Sequence, residues 1–364
     1  MRVALLSESS ALGGAERMLM LLARGLRSRG AEVAVVGPPG ASWLQSSAMA
    51  SDIEFIPVHF RPGHVLAGSR LLRRSMKNFA PDLVHAHMFG MGLLAALANV
   101  PAVSPLVITL HGGGGELVGW KRRLALSYAM LAADNVVAVS EALRDELQRQ
   151  VPFQPREIRV IYNGVPQSQT LSDGAADAYA ALVAKGKSVV AVGNHLPVKG
   201  HLVLINAMAR CKNRDWHLSI AGRRTEHTDD LLREIQKFGL ADRVSLLGSI
   251  PEPMSLLRTA DLFVMPSHSE AMPMALLEAM SAGVPCVATR VGGIPEALDG
   301  LGTLVPPNNP VELSIAIDRA LSRPEDENRS AGVALVTRVR TKFGVDLMSE
   351  AYELLFNETL SKSR

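Results

Sequence analysis

Short apolar runs alternate with amphipathic helical segments along the whole chain, and this alternation limits the fold more than any other feature. The predicted strands lie at 2–7, 31–36, 53–57, 82–86, 106–110, 135–139 and 158–161 in the first half, and at 187–192, 216–221, 243–247, 261–265 and 285–289 in the second. With helical patterns between them, such as 14–29 and 64–79, they predict parallel sheets covered on both faces. Ligands of such sheets bind at the carboxyl ends of the strands, so the residues after each strand are the candidates for chemistry.

The length of 364 residues predicts two domains. The irregular stretch at 166–186 is the predicted linker between Rossmann-like α/β domains at 1–165 and 187–340. The C-terminal segment 341–364 contains an amphipathic pattern at 344–360, a helix that we expect to pack back toward the first domain. With two such sheets facing each other, the cleft between them is the default ligand site.

Composition excludes several classes of protein. Apolar residues make up 48% and aromatic residues 4%, which suits buried parallel strands and their covering helices. The net charge of +3 argues against a nucleic-acid binder, and two cysteines indicate a reducing, cytoplasmic setting rather than a disulfide framework. The N-terminus shows no signal-peptide pattern. The uncharged stretch 88–110 contains Pro101 and Pro105, so a helix at 90–99 and a strand at 106–110 fit it better than a membrane span.

Gly13 and Gly14 follow the first strand at a turn into a helix. Such a turn exposes backbone N–H groups that suit an anion, although a plain tight turn is an equal alternative. The turn has neither the nicotinamide-binding nor the P-loop spacing, which argues against both of those classes.

Three histidines lie on or after predicted strands. His85 and His87 are two residues apart and therefore face the same way, and His111 follows the next strand. A three-histidine metal site is conceivable, but no carboxylate partner is evident nearby. A core role suits His85 better, and a polar role in the site suits His111.

The stretch from Pro266 to Gly283 after the strand at 261–265 carries the most specific pattern. Pro273 is the predicted first residue of a helix that ends at Gly283. Glu270 lies in the preceding loop and Glu278 inside the helix. The loop and helix N–H groups favour a phosphate, whereas carboxylates favour hydroxyls, so the pattern suits a diphosphate flanked by a sugar and a ribose. Two ordinary surface glutamates are the alternative.

Taken in order, these motifs resemble family 4 of the retaining glycosyltransferases, which have the GT-B fold of two Rossmann-like domains facing across a cleft. The resemblance runs through nearly the whole chain. Its motifs are the Gly13–Gly14 turn, Asp82–His87, Thr109–Gly112, Val139–Glu141, Ile161–Val165, Lys199–Gly200, the glutamates at 270 and 278, and Val291–Glu296. It implies an acceptor-side first domain and a second domain that binds the nucleotide sugar.

The resemblance also implies roles for single residues. Glu270 would accept from donor-sugar hydroxyls and Glu278 from ribose hydroxyls. Lys199 would neutralise the leaving diphosphate and His111 would line the sugar pocket, so His111, Glu270 and Lys199 are the candidate catalytic residues. The candidate donor-binding residues lie in the strand-end loops: Gly13, Gly14, Asn194, Lys199, Arg223, Arg224, Ala271, Met272, Pro273, Met274 and Glu278.

The chain departs from the family pattern at three places. Asn194 stands where the family usually has Arg, a loss of a charged hydrogen bond typically worth about 1.5–3 kcal/mol. Arg223 and Arg224, where the family more often has small or acidic residues, are hypothesised to supply that charge. Ala271 replaces the usual Gly, so the loop geometry is expected to differ slightly.

The sequence predicts neither a metal nor a bound cofactor, because the Asp-x-Asp clamp of the other large glycosyltransferase class is absent. Lys199, the helix N-terminus and backbone amides would then meet the leaving-group charge. No catalytic base is assigned, since the leaving phosphate of such retaining enzymes can take the proton. The expected partners are a nucleotide sugar and a glycan or lipid-linked acceptor.

Two basic segments suggest a second surface. The segment 60–80 contains Arg61, His64, Arg70, Arg73, Arg74 and Lys77, and a further helix begins at Trp120-Lys121-Arg122-Arg123. Contact with the inner face of an anionic membrane and a plain solvated helix face are equally good explanations. For the whole chain, a nucleotide-sugar epimerase and a non-catalytic nucleotide-sugar-binding protein remain as alternatives. The pattern does not name the base, the sugar or the acceptor.

Overall fold

The chain forms two compact α/β units. The computed structural model describes residues 1–9, 12–59, 65–98, 100, 103–112, 119–167, 186–250 and 253–362. The first unit consists of Met1–Gly164 and Gly344–Arg364, and the second of Val165–Phe343. Most of the predicted linker, 168–185, lies outside the described residues, as do Arg61 and His64.

The first unit is built on a seven-stranded, wholly parallel sheet. Its strands are β1 (Arg2–Leu6), β2 (Glu32–Gly37), β3 (Glu54–Pro57), β4 (Leu83–His87), β5 (Leu106–Leu110), β6 (Asn135–Ala138) and β7 (Arg159–Val160), in the spatial order β3-β2-β1-β4-β5-β6-β7. The helices are α1 (Gly14–Ser28), α2 (Ser42–Ala50), α3 (Val65–Phe79), α4 (Met88–Leu97), α5 (Trp120–Ala132) and α6 (Glu141–Gln150). Strands β4 and β5 are buried at every position, as parallel strands covered on both faces require.

The second unit is built on a six-stranded parallel sheet of order β10-β9-β8-β11-β12-β13. The strands are β8 (Lys187–Val192), β9 (Trp216–Ala221), β10 (Val244–Gly248), β11 (Leu262–Met265), β12 (Cys286–Thr289) and β13 (Thr303–Val305). The helices are α7 (His201–Arg210), α8 (Thr228–Lys237), α9 (Pro253–Leu257), α10 (Met274–Ser281), α11 (Ile294–Leu298), α12 (Pro310–Leu321) and α13 (Glu325–Lys342). Its core contains buried apolar side chains from both the strands and the helices, such as Val189, Leu218, Leu204 and Ile317.

In each sheet, the chain first adds strands on one side of the unit's first strand and then adds the remaining strands on its other side. In the first unit, β2 and β3 lie on one side of β1, whereas β4 begins the other side. In the second unit, β9 and β10 lie on one side of β8 and β11 begins the other. The reversal points are therefore β1/β4 and β8/β11. Ligands of doubly wound sheets bind at the carboxyl ends of the strands at such a point.

The last helix, α14 (Val345–Lys362), belongs to the first unit and packs against α1. Tyr352 and Phe356 of this helix are fully buried, and Arg29 forms an ion pair with Glu353 at 3.2 Å. The C-terminal segment is thus part of the core of the unit in which the chain begins.

Three local results bear on the sequence predictions. The stretch 88–110 forms α4 and β5, as predicted, and none of the helices within the described ranges is long and apolar enough to cross a bilayer. The prediction that Pro273 is the first helical residue was wrong: its ψ of 119° is extended and α10 begins at Met274. Gly283, with φ +70°, follows the helix end as predicted.

Candidate functional site

A lysine–glutamate pair lies at the reversal point of the second sheet. Lys199 ends a short 3₁₀ helix (Pro197–Lys199) that follows β8, and Glu270 lies in the loop after β11. The Lys199 Nζ donates to Glu270 Oε1 at 2.6 Å, and the Ser267 hydroxyl donates to the same oxygen at 2.8 Å. The Glu270 side chain is only 10% exposed, and that of Lys199 is 29% exposed. Two predicted site residues, 71 positions apart, therefore meet where the topology favours a ligand.

Close backbone approaches hold these two loops in place. Gly200 has φ +67°, and a side chain there would overlap the backbone oxygen of Pro266. Gly292 has φ +48°, and a side chain there would overlap the backbone oxygen of Glu270. The His268 N–H also donates to the Val198 oxygen at 2.8 Å. Because only glycine fits both the dihedrals and the space, Gly200 and Gly292 fix the backbone on either side of the pair.

Helix α10 begins three residues after the Glu270–Ala271 segment. Its first turn has no side-chain cap at Pro273, so backbone N–H groups at its start point out of the helix. Met272, Pro273 and Met274 are buried, and Ala271 is partly exposed. Ala271 is not among the described residues with positive φ, so the loop forms here without the strain that an alanine would have in that region.

Glu278 lies one turn into α10 and is 7% exposed. An ionised carboxylate so deeply buried requires compensating hydrogen bonds or charges. Glu278 is therefore not a solvated surface glutamate, which was the alternative interpretation of this position.

Asn194 links the loops after β8 and β9. Its side-chain Oδ1 accepts from the Arg223 N–H at 3.1 Å, and the His195 N–H donates to the Arg223 oxygen at 3.0 Å. Arg223 and Arg224 are both exposed. Burial lowers the pKa of His195, and the nearby charge of Arg224 lowers it further. Asn194 thus holds a loop that carries two cationic side chains.

The glycine turn of the first unit already has a carboxylate partner. Gly13 is the N-cap of α1 and Gly14 its first residue. Glu16 is 8% exposed, and its carboxylate accepts hydrogen bonds from its own N–H, from the Ser9 hydroxyl and from the Gly13 N–H. Burial raises the pKa of Glu16 above its ordinary value. The arrangement resembles one half of a capping box, so the N–H of Gly13 is not free for an anion.

The three histidines of the first unit form one cluster at the ends of β4 and β5. His85 and His87 face the same way, with ring centroids 4.2 Å apart. His87 Nδ1 lies 3.0 Å from His111 Nε2, and His85 Nε2 lies 2.7 Å from the Thr109 hydroxyl. His85 and His87 are fully buried, whereas His111 is partly exposed. His85 is therefore the core histidine that the sequence favoured.

Burial keeps this cluster neutral. It lowers the pKa of His85 to about 3 and that of His111 to about 4, and it holds the pKa of His87 well below its usual range. The two nitrogens joining His87 and His111 are at hydrogen-bond distance from each other. Across the part of the chain that the structure describes, no group of three or more His, Cys, Asp or Glu side chains is arranged to hold a metal ion.

Family comparisons agree with this architecture. Residues 12–169 match the family described as Glycosyltransferase Family 4, and residues 186–323 match the family described as Glycosyl transferases group 1. The chain belongs to glycosyltransferase family 4. The resemblance drawn from the motifs is thereby confirmed.

Relatives of this family 4 chain include two curated proteins. An uncharacterized glycosyltransferase of Methanocaldococcus jannaschii is 32% identical over 254 residues, covering 67% of this chain and 66% of that protein. A D-inositol 3-phosphate glycosyltransferase of Saccharomonospora viridis is 28% identical over 270 residues, covering 67% of this chain and 63% of that protein. The alignments therefore span slightly less than two thirds of these relatives' own length.

Among solved structures, the Anabaena protein HepE in complex with UDP-glucose has a TM-score of 0.84 and 25% identity, with 100% of each chain covered. The predicted fold class, two Rossmann-like domains of the GT-B type, is confirmed.

Several residues that contact or lie beside the predicted site residues were missed by the motif analysis. Ser267 is 1% exposed and donates to Glu270, yet a serine in a loop gives no distinctive sequence signal. His201 is buried, and its Nε2–H donates to the Gly193 oxygen at 3.0 Å. Tyr352 reaches the histidine cluster through Thr109, with their hydroxyl oxygens 2.9 Å apart. The tyrosine lies 243 positions along the chain from Thr109, so only the fold could bring the two together.

Proposed function

We propose that this chain is a retaining glycosyltransferase that moves a sugar from a nucleotide-diphosphate sugar to a hydroxyl of a glycan or a lipid-linked acceptor. The observation that carries the proposal is the Lys199–Glu270 pair beside the start of α10, at the reversal point of the second sheet. Among the relatives, HepE has UDP-glucose bound, and others are named as glycosyltransferases.

The proposed donor site uses charge and backbone together. The diphosphate docks on the N–H groups of Met274 and Ala275 at the start of α10, where the helix dipole favours negative charge. Lys199 neutralises the developing charge on the leaving diphosphate. Glu278 accepts hydrogen bonds from the ribose hydroxyls and Glu270 from the sugar hydroxyls. Hydroxyls are the partners that suit a carboxylate here, because a carboxylate would repel the phosphate itself.

The ion pair gives a physical reason for this combination. A carboxylate alone would repel the diphosphate, but Lys199 offsets the charge of Glu270 at 2.6 Å. On donor binding, Lys199 has three N–H donors to share between Glu270 and a phosphate oxygen. Glu270 then keeps an oxygen for a sugar hydroxyl while Ser267 holds its orientation.

In the proposed reaction, the bond between the anomeric carbon and the diphosphate oxygen breaks as the acceptor oxygen bonds to that carbon. The acceptor proton passes to the leaving phosphate, so no protein base is required. The anomeric configuration is retained by analogy with the family. For the Gly13–Gly14 turn, the proposed contact with a phosphate uses the Gly14 N–H, since Glu16 occupies that of Gly13, and His111 is proposed to meet a sugar hydroxyl.

Arg223 and Arg224 are proposed to replace the charge that Asn194 lacks. The hydrogen bond from the Arg223 N–H to Asn194 places the two arginines next to that position. Replacing either or both with alanine is expected to weaken binding of the nucleotide selected by thermal shift about tenfold, by loss of a charged hydrogen bond. Unchanged affinity in both single variants and the double variant would remove this part of the proposal.

Metal independence is also proposed. Lys199, the α10 start and backbone amides take the place of a divalent ion at the leaving group. Transfer is expected to continue in EDTA, and complete loss that is restored by a divalent ion would contradict the proposal.

We further propose that the enzyme acts in the cytoplasm, touching the inner face of the membrane. Two free, buried cysteines suit a reducing compartment. Helices α3 and α5 contain no acidic residue, and their basic residues Arg70, Arg73, Arg74, Lys77, Lys121 and Arg122 are exposed. Trp120, Leu124, Tyr128 and Leu131 form an exposed stripe at helical spacing on α5. Basic and aromatic side chains together suit an anionic lipid surface.

Flotation with anionic liposomes tests the membrane contact. Binding at low salt that falls at high salt, and that weakens in the Trp120→Ala/Leu124→Ala variant, is the expected result. Val333→Ala, which removes an exposed apolar side chain (64% exposed) from α13, is the matched control. No flotation at either salt would end the proposal.

Thermal-shift screening with UDP, GDP, ADP and their sugars, followed by product analysis, tests the transferase proposal itself. One nucleotide is expected to raise the melting temperature, because a ligand of the folded state stabilises it. Glu278→Gln should abolish most of that shift, whereas Glu327→Gln, an exposed glutamate of α13, should not. Isomerisation of the donor without an acceptor would indicate an epimerase, and binding without any transfer or hydrolysis would indicate a non-catalytic binding protein.

A further inference from the structure

A series of hydrogen-bonding and ring contacts runs through the first unit from α14 to the end of β5. The Tyr352 hydroxyl lies 2.9 Å from the Thr109 hydroxyl, which lies 2.7 Å from His85 Nε2. The His85 ring contacts the His87 ring, whose Nδ1 lies 3.0 Å from His111 Nε2. Only His111 of these three imidazoles is partly exposed. The two buried rings therefore act on a ligand only through the third.

Each buried ring has one nitrogen with a partner and one without. His87 Nε2 and His85 Nδ1 are buried and have no hydrogen-bond partner. A neutral imidazole carries one N–H and one bare nitrogen, so in each ring the nitrogen without a partner is either the N–H or the bare nitrogen. Orphaned buried N–H groups are rarer than under-satisfied acceptors. The proton should therefore lie on the nitrogen that has a partner.

This rule fixes the direction of the bond between His87 and His111. If the proton of His87 lies on Nδ1, the Nδ1–H donates to His111, and Nε2 of His111 must accept. A neutral His111 that accepts at Nε2 carries its own proton on Nδ1. The opposite assignment would leave an N–H at His87 Nε2 buried without an acceptor.

We propose that His87 is a positioning residue that holds His111 as the neutral Nδ1–H tautomer, so that His111 presents a hydrogen-bond donor to a sugar hydroxyl oxygen. In this arrangement His111 is neither a proton acceptor at its ligand-facing nitrogen nor a cation. The identity of the ligand rests on the proposed function, whereas the tautomer does not.

Neutral imidazoles are what this packing allows. The ring centroids of His85 and His87 are 4.2 Å apart and those of His87 and His111 are 5.3 Å apart. A proton added to one ring would place a buried cation directly beside its neighbouring ring. Burial accordingly lowers the pKa of all three.

Ring-nitrogen NMR of the ligand-free protein tests the tautomer directly. The full chain is labelled with ¹⁵N-histidine, and long-range ¹H–¹⁵N correlation spectra at pH 7 distinguish protonated from bare ring nitrogens. The signal of His111 is assigned by its loss in His111→Gln. A bare Nε2 and a protonated Nδ1 are expected. A protonated Nε2, or a doubly protonated ring, in the spectrum of the wild-type protein would by itself overturn the proposal.

Variants separate positioning from a merely structural role. His87→Leu removes the donor and should allow the His111 tautomer to change, whereas His87→Asn keeps an amide N–H near the Nδ1 position and should preserve it. His85→Asn is the matched control: it changes the same residue type on the same strand but has no bond to His111. A tautomer that is unchanged in His87→Leu would contradict the positioning role.

Affinity gives the second readout. With the nucleotide selected by thermal shift, His87→Leu should weaken binding of the nucleotide sugar about fivefold, the loss of one neutral hydrogen bond, and leave binding of the nucleoside diphosphate unchanged. Equal losses for both ligands would indicate general damage and would contradict the proposal. If no nucleotide binds the wild type, the proposed function fails while the NMR result still decides the tautomer.

Discussion

The two units of this chain share a topology but differ in the charge of the groups at their reversal points. At β1/β4 the neighbouring side chains include a cluster of three imidazoles that burial keeps neutral, and Glu16 occupies the glycine turn. At β8/β11 an ionised lysine and glutamate meet at 2.6 Å. The doubly wound sheet fixes where a ligand site lies, and the residues after each strand decide whether it suits charge or uncharged hydroxyls. This difference suits an anionic ligand group at the second reversal point and uncharged hydroxyls at the first.

The largest expected effect comes from removing the Lys199 cation, which distinguishes the second unit's reversal point from that of the first. Lys199→Gln is expected to lower kcat by about 10²–10³-fold, since it removes a preorganised charge at the leaving group. Lys187→Gln is the matched control, because Lys187 lies at the opposite end of β8 and pairs with Asp261 at 3.1 Å. Steady-state kinetics of both variants provides the measurement. A small effect of Lys199→Gln would mean that the charged pair is structural.

The histidine cluster should give the next largest effect, as a loss of stability in acid. The folded-state pKa values of His85 and His111, about 3 and about 4, lie below the ordinary 6.5. Between these values the unfolded chain binds more protons than the folded chain. The contribution of the neutral histidines to the free energy of unfolding is therefore fully present above about pH 6.5, and it is lost as the pH falls toward 4. Each such histidine contributes a slope of up to about 1.4 kcal/mol per pH unit.

Urea unfolding at pH 7, 6 and 5 measures that slope. His85→Gln, whose amide can still reach Thr109, is expected to reduce it, whereas replacement of the exposed His268 by Gln is not. An identical slope in the wild type and in His85→Gln would show that the buried cluster does not resist protonation.

Twelve of the thirteen described strands were predicted, because a buried parallel strand leaves a short run of apolar residues; the three-residue β13 (Thr303–Val305) was missed. Helix α13 was not predicted: only Gly332, Leu335 and Val339 of its 18 residues are buried, so it has almost no periodic pattern. Pro273 was misplaced by one residue because its φ of −74° suits a helix, while the loop from Glu270 sets its ψ.

Contacts at the site were less predictable than the residues that make them. The motifs named Lys199, Glu270 and His111, but no spacing rule pairs Lys199 with Glu270 over 71 positions or His87 with His111 over 24. Those pairs depend on which strands are neighbours. The occupation of the Gly13 N–H by Glu16 was also missed, although a glutamate three residues after an N-cap is a recognisable capping signal.

Two glycines of the second unit offer a matched pair for testing how the charged site is held. Gly200 and Gly239 both have positive φ, +67° and +64°, but a side chain has open space only at Gly239. Gly239→Ala should cost about 1 kcal/mol for the left-handed conformation alone. Gly200→Ala should cost about 1–2 kcal/mol more, because it also overlaps the Pro266 oxygen, and it should weaken nucleotide binding by displacing Lys199. Urea unfolding and thermal shifts measure both, and equal costs would show that the close approach can relax.

The smallest expected effect concerns a strained residue at the reversal point of the first unit. Met88 follows β4 with φ +72°, a conformation that costs a non-glycine residue about 1 kcal/mol, and Ala80, away from the site, has φ +43°. Ala80→Gly should raise the free energy of unfolding by up to about 1 kcal/mol and leave donor binding unchanged. Met88→Gly should be close to neutral in stability, since relief of strain offsets lost packing, but it should weaken sugar binding about twofold to threefold by loosening the backbone after His87. Should both variants behave alike in binding, the strain at Met88 would have no connection with the histidine cluster, and the two reversal points would differ in charge alone.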